Sequence, residues 1–233
     1  MLKSLRYIFL ALAVVGSLFL GPVSTVHALT YPAEINKSFT PISISSGGTS
    51  ILRVTVYNPN TNALTNASWT DNFPAGITVA NTPNVTTTCM DTVTPANFAA
   101  VTDSSDGTVD PGDTSIKLSG ATVPAQVGSN PGSCYVEVTV TSTTPGNLIN
   151  TIPANALTSK TLDGSLSVDI TNTTPASATL NVITVQPPSL SKGFAPNTIY
   201  VGELSTLTIT IHNNDINTSL TSTTFRDALP TDV

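Results

Sequence analysis

Short runs of alternating apolar and polar residues dominate the chain after its first 28 positions. From Ser50 to Asn58, Leu52, Val54 and Val56 fall on one face and Arg53, Thr55 and Tyr57 on the other, the period of two expected of a half-buried strand. Cys134 to Val140 repeats the pattern, with Cys134, Val136, Val138 and Val140 inward and Tyr135, Glu137 and Thr139 outward; Ala178, Leu180 and Val182 continue it. Weaker alternation predicts strands around 35–39, 67–73, 77–80, 98–101, 115–118 and 148–152. Gly47-Gly48, Pro59-Asn60, Pro74-Ala75-Gly76, Pro111-Gly112, Pro131-Gly132 and Pro145-Gly146 supply the turns between them. No window after residue 28 sustains a helical period. Seven to nine short strands, each with one polar face, predict an all-β fold, an immunoglobulin-like β-sandwich. Trp69, the single tryptophan, takes an inward position and is read as core.

The first 28 residues follow a different rule. Lys3 and Arg6 precede an almost wholly apolar run from Tyr7 to Gly21, and Val26-His27-Ala28 offers a cleavage site. This is the layout of a secretory signal peptide, with the cut expected after Ala28. The apolar run is shorter than the about 20 residues a membrane-spanning helix needs. Two of the eight basic residues, Lys3 and Arg6, lie in this segment and no acid does, so the rest of the chain carries a net −8. Charged residues make up only 9% of the 233, while threonine, well suited to a pleated surface, occurs 40 times. Eight Lys plus Arg without a basic run exclude a nucleic-acid partner. No later stretch is long and apolar enough for a membrane-spanning helix, so no membrane contact is expected of the mature domain. Export makes a Cys89–Cys134 disulfide the expected state of the two cysteines. Closing that loop is worth about 4 kcal/mol in the chain-entropy model; two buried free thiols are the alternative.

The sequence also repeats itself. Lys37-Ser38-Phe39-Thr40-Pro41 corresponds to Lys192-Gly193-Phe194-Ala195-Pro196 at an offset of 155, which also pairs Gly47 with Gly202, Ser50 with Ser205 and Leu52, Val54 and Val56 with Leu207, Ile209 and Ile211. One inserted residue later, Trp69 meets Phe225, Asp71 meets Asp227 and Ile77 meets Val233. The expected organisation is a signal peptide at 1–28, a complete sandwich at 29–185, a Pro-rich linker at 186–188 and an incomplete second repeat at 189–233. Gln186-Pro187-Pro188 favours an extended, stiff connection. If the chain ends at Val233, residues 189–233 are expected either to be disordered or to complete themselves on another chain by strand exchange.

A search for chemistry returns little. His212 is the one histidine beyond residue 28, lies on the outward face of its strand, and has Tyr57 at its counterpart. No nucleophile elbow, zinc helix motif or phosphate-binding loop is present. Catalytic residues, cofactors and metal ligands are therefore all expected to be none. Asp71 and Asp227 are read as strand-end acids that bond the amides of the next turn, not as a glycosidase pair. Residues 103–113 gather Asp103, Asp106, Asp110 and Asp113 without EF-hand spacing; the expected state is a solvated turn, with Ca²⁺ binding as the alternative. Lys37 and Lys192 recur in the first strand of each copy; some exported Ig-like domains join such a lysine to an asparagine by an isopeptide bond, which is not expected here because the sequence assigns no acid to assist it. Asn36, Asn66, Asn84, Asn172 and Asn217 stand in glycosylation-type tripeptides that so threonine-rich a chain produces by composition.

Taken together, Ile35-Asn36-Lys37-Ser38-Phe39-Thr40-Pro41, Gly47-Gly48-Thr49-Ser50, the Leu52 to Asn60 strand and Trp69-Thr70-Asp71-Asn72-Phe73-Pro74-Ala75-Gly76 form a pattern. It resembles the conserved-repeat family of Ig-like domains found in large bacterial surface and secreted proteins, a family of unknown biochemical function. Thr87-Thr88-Cys89, Gly132-Ser133-Cys134, Thr151-Ile152-Pro153-Ala154 and Pro188-Ser189-Leu190-Ser191-Lys192 extend the resemblance over nearly all of 31–233. It implies tandem extracellular domains that serve as stalks or adhesive arrays, and it supplies no catalytic residues. The expected function is that of a secreted or cell-surface spacer with an extracellular protein or glycan partner. The alternative is a module for carbohydrate or Ca-dependent adhesion. Its outward aromatics, Tyr57, Tyr135 and Tyr200, are few.

Overall fold

The computed structural model describes residues 29–215 and 219–230. The signal segment 1–28, Asn217 and the Ile77–Val233 correspondence fall outside them.

Among the described residues there are sixteen strands and no helix. The first seven are β1 (Glu34–Thr40), β2 (Ser43–Ser45), β3 (Thr49–Asn58), β4 (Leu64–Asn72), β5 (Thr78–Val79), β6 (Thr86–Thr87) and β7 (Met90–Asp91). Next come β8 (Ala100–Thr102), β9 (Ser115–Val123), β10 (Gly132–Thr141), β11 (Gly146–Ile152), β12 (Thr158–Asp163), β13 (Leu166–Ile170) and β14 (Ala176–Ile183). β15 (Ser189–Ala195) and β16 (Thr206–His212) end the series.

One face of the sandwich runs β1-β3-β10-β5, with β6 also on β10; the other runs β13-β12-β4-β9-β7, with β8 also on β9. A third sheet, β11-β14-β2, sits at the side, where β14 lies beside β1 and β11 against β4. The alternation seen in sequence fixes which residues meet. Leu52, Val54 and Val136, Val138, Val140 from the first face bury against Ala67, Trp69, Ile116, Leu118 and Val123 from the second. Burial of such side chains contributes roughly 1.5–3 kcal/mol each relative to exposure.

The all-β immunoglobulin-like sandwich is thus the fold, with two corrections to the strand reading. The hairpin β12–β13 has no apolar alternation to announce it, because Ser159, Thr161 and Asp163 are the inward residues while Leu162 and Leu166 are exposed. The inward hydroxyls are satisfied by backbone, Ser159 Oγ donating to Ile170 O and Thr161 Oγ1 to Ala63 O. The strand expected at 115–118 runs on into β9, a nine-residue strand held inside its sheet between β4 and β7.

The turn between β2 and β3 sets the edge of the third sheet. Gly48 N–H donates to Ser45 O at 2.7 Å, and Gly47 takes φ +82°, the third-position conformation of a type II turn, which a side chain resists. β2 then runs parallel to β14, with Ser43, Ile44 and Ser45 opposite Asn181, Val182 and Ile183. Asn181 N–H to Ile42 O (2.9 Å) and Ser46 N–H to Ile183 O (2.9 Å) extend this ladder at both ends.

β15 and β16 pair antiparallel from Ser189↔His212 to Ala195↔Thr206, the register of Glu34↔Tyr57 to Thr40↔Ile51 displaced by 155. Cis peptide bonds precede Pro41 and Pro196 alike. Ser50 Oγ and Ser205 Oγ donate at 2.6 Å to Pro41 O and Pro196 O.

Candidate functional site

Three polar residues occupy inward positions where the alternation would place apolar ones. Lys37 stands between Ile35 and Phe39 on β1, Asp71 follows Trp69 on the inward face of β4, and Asn150 precedes Ile152 on that of β11. They meet where the three sheets join. Lys37 Nζ donates to both Asp71 carboxylate oxygens at 2.7 Å, and Asn150 Nδ2 donates to Oδ2 at 3.0 Å. The side chains of Lys37 and Asp71 are fully buried. Asn150 Oδ1 is buried and has no hydrogen-bond partner.

Burial governs the electrostatics of this cluster. Desolvation pushes the Lys37 amine below its ordinary value, opposed by the Asp71 charge and hydrogen bond. Desolvation likewise pushes the Asp71 carboxyl up, opposed by Lys37 and then by Asn150. Each shift moves toward the other, so burial narrows the gap between the ion pair and the neutral amine and acid. The expectation that Asp71 bonds the amides of the following turn is therefore overturned. Its inward parity with Trp69 carries it under the sheet, onto Lys37. The signal was legible in the Ile35, Lys37, Phe39 and Leu148, Asn150, Ile152 alternations, both of which point a polar side chain inward.

Lys192 and Asp227 form the corresponding pair at 2.8 Å, with side chains 37% and 25% exposed. Water reaches this pair, unlike the first.

Cys89 and Cys134 are joined in a disulfide with Cα atoms 4.9 Å apart. Cys89 follows β6, and Thr88 N–H donates to Tyr135 O at 3.0 Å beside it. The bridge therefore closes a loop that strand pairing already holds.

In the 103–113 loop the carboxylates turn to the loop's own backbone. Asp103 accepts from the amides of Ser105, Asp106 and Gly107 and from the Ser105 hydroxyl. Asp106 accepts from Thr108 N–H (3.0 Å) and Asp113 from Asp110 N–H (2.6 Å). These bonds, the Ser105 hydroxyl foremost, draw the Asp103 carboxyl down to about 2. Among the described residues no group of three or more His, Cys, Asp or Glu converges as metal ligands would.

The outward tyrosine at 135 is capped: the Arg53 guanidinium carbon lies 4.1 Å from its ring centre, a cation–π contact. Arg53 also pairs with Glu137 at 2.7 Å. His212 is exposed on β16, as its outward position in the sequence implies.

Comparison with known proteins gives one family. The model described as "Domain of unknown function (DUF7933)" matches residues 33–182 and again 188–233. No curated protein matches the chain. Similar solved structures include the collagen-binding domain from a Staphylococcus aureus adhesin, 12% identical with a TM-score of 0.36 over 66% of this chain and 99% of that one. The seventh ScaB type I cohesin from Pseudobacteroides cellulosolvens is 16% identical with a TM-score of 0.40, over 66% of this chain and 94% of that one. BslA, a bacterial hydrophobin, is 15% identical with a TM-score of 0.36, over 69% of this chain and all of that one.

Proposed function

The chain belongs to the DUF7933 family, matched over most of its length, and on that footing we propose that it is a non-catalytic extracellular module acting as a stiff, load-bearing spacer. The observation that carries this reading is the parallel pairing of β2 with β14. These strands lie near the two ends of the sandwich. Tension between those ends pulls β2 toward its N-terminus and β14 toward its C-terminus. In a parallel pair this loads every inter-strand bond in shear at once, whereas an antiparallel hairpin pulled from one end opens bond by bond.

Other features support the same reading. The disulfide and the signal-like segment 1–28 suit an oxidising, exported location. Five residues separate β14 from β15, and two of them are Pro187 and Pro188, which favour an extended link. The matching registers of β1–β3 and β15–β16 support a second copy of the same unit. The capped Tyr135 and the self-satisfied 103–113 loop favour a spacer over carbohydrate or Ca-dependent adhesion. Single-molecule pulling on the full chain tests the reading: one cooperative rupture of the sandwich is expected, and gradual yielding at low force rejects it.

A further inference from the structure

The Lys37, Asp71 and Asn150 cluster is more than a buried ion pair needs. A charge pair alone would be closed by donors to the carboxylate, yet here the third member is an amide whose own acceptor, Oδ1, is buried and unsatisfied. That oxygen needs a donor, and the groups at hand that could supply one are the Lys37 amine and a protonated Asp71 carboxyl. The two nitrogens bond to the same carboxylate oxygen, which makes the amine and the amide neighbours across the acid. From this geometry we infer that Lys37 and Asn150 are joined by an intramolecular isopeptide bond, formed by the chain itself with Asp71 as the proton carrier.

The step balances without a co-reactant. Proton transfer from Lys37 to Asp71 yields a neutral amine and a neutral acid, a transfer that burial of both groups favours. The Nζ lone pair attacks Asn150 Cγ, and the carbonyl electrons move onto Oδ1, which takes the Asp71 proton. Asp71 then accepts a proton from Nζ and passes it to Nδ2. The Cγ–Nδ2 bond breaks, ammonia leaves, the Oδ1 proton returns to Asp71, and a secondary amide remains. Positioning by three sheets supplies the encounter, and the dry site keeps water from competing. The bond would tie β1 to β11 and take residues 38–149, β2 among them, out of the path of tension, so the β2–β14 clasp is tested by pulling on the Asn150→Ala chain, which cannot form the bond. It does not depend on the spacer reading, since the chemistry needs only the three side chains.

The test is the mass of the purified full chain, after reduction of the disulfide and with its N-terminus verified, together with a tryptic digest. The expected result is a deficit of one ammonia. Trypsin should spare the bond after Lys37, and one branched peptide should contain both Lys37 and Asn150. The Lys37→Met variant should recover the full mass. An undiminished mass with cleavage after Lys37 in the folded wild-type chain overturns the inference. So does loss of ammonia without a branch, which would mark cyclisation at Asn150 alone. The wild-type result decides the matter even if the variant fails to fold.

Discussion

Trp69 is 2% exposed, and its Nε1 is buried without a hydrogen-bond partner. The indole is thus held by packing alone, and its counterpart in the second segment is Phe225. Trp69→Phe should cost less than about 1.5 kcal/mol, as a near-conservative core exchange that removes an unsatisfied donor. Trp69→Ala should cost about 3–5 kcal/mol through the cavity it leaves. Denaturant midpoints at unchanged slope measure both, and equal losses would contradict a packing-only role. Asp103 offers a test by pH. Its carboxyl is drawn from 3.8 down to about 2 by the Ser105 hydroxyl and the loop amides. The folded value lies below the unfolded one, so the stabilisation is complete above about 3.8 and is lost as pH falls toward 2. NMR titration should place the Asp103 midpoint near 2, and Asp103→Asn should flatten that part of the acid unfolding curve. A midpoint at the ordinary carboxylate value would show that the turn bonds are absent in solution.

Among the elements, the strongly alternating strands were the legible ones. β3 and β10 could be read to within a residue or two because their inward positions are Leu and Val, and burial is what the alternation reports. β12 was hidden because its inward side is Ser, Thr and Asp, with the two hydroxyls bonded to backbone that no local pattern reveals. β2 is only three residues long and pairs with β14 from across the chain, a contact that local periodicity cannot carry. The central cluster fell between these cases. The inward parity of Lys37, Asp71 and Asn150 was in the sequence, but their meeting needed the junction of three sheets. The disulfide is tested at this scale. It closes a 45-residue separation, for which the chain-entropy model gives about 4 kcal/mol as a ceiling. Since β6 already pairs with β10 beside it, replacing both cysteines by alanine should cost about 2–4 kcal/mol and leave the fold intact. An unchanged midpoint would mean that the bridge constrains nothing the ladder does not.

For the whole molecule, stability and load-bearing are separate properties. The core determines whether the sandwich folds, whereas the direction of tension relative to the strands determines how it yields. The proposed spacer role therefore rests on the β2–β14 clasp more than on the size of the core. Ser46 allows the clasp to be weakened cleanly. It occupies the second position of the Ser45–Gly48 turn, where proline is favoured in a type II turn, and its N–H donates to Ile183 O. Ser46→Pro thus removes one clasp bond, together with the exposed Ser46 Oγ to Thr143 O hydrogen bond (3.1 Å), and keeps the turn. The decisive measurement is single-molecule pulling of the full chain between its two ends in an Asn150→Ala background, where no Lys37–Asn150 link can shield β2, with and without Ser46→Pro. The clasp predicts one cooperative rupture in the Asn150→Ala chain, and rupture at distinctly lower force once Ser46→Pro is added. Equal forces in the two proteins, or an Asn150→Ala chain that opens gradually without a resolved rupture, would contradict the load-bearing role.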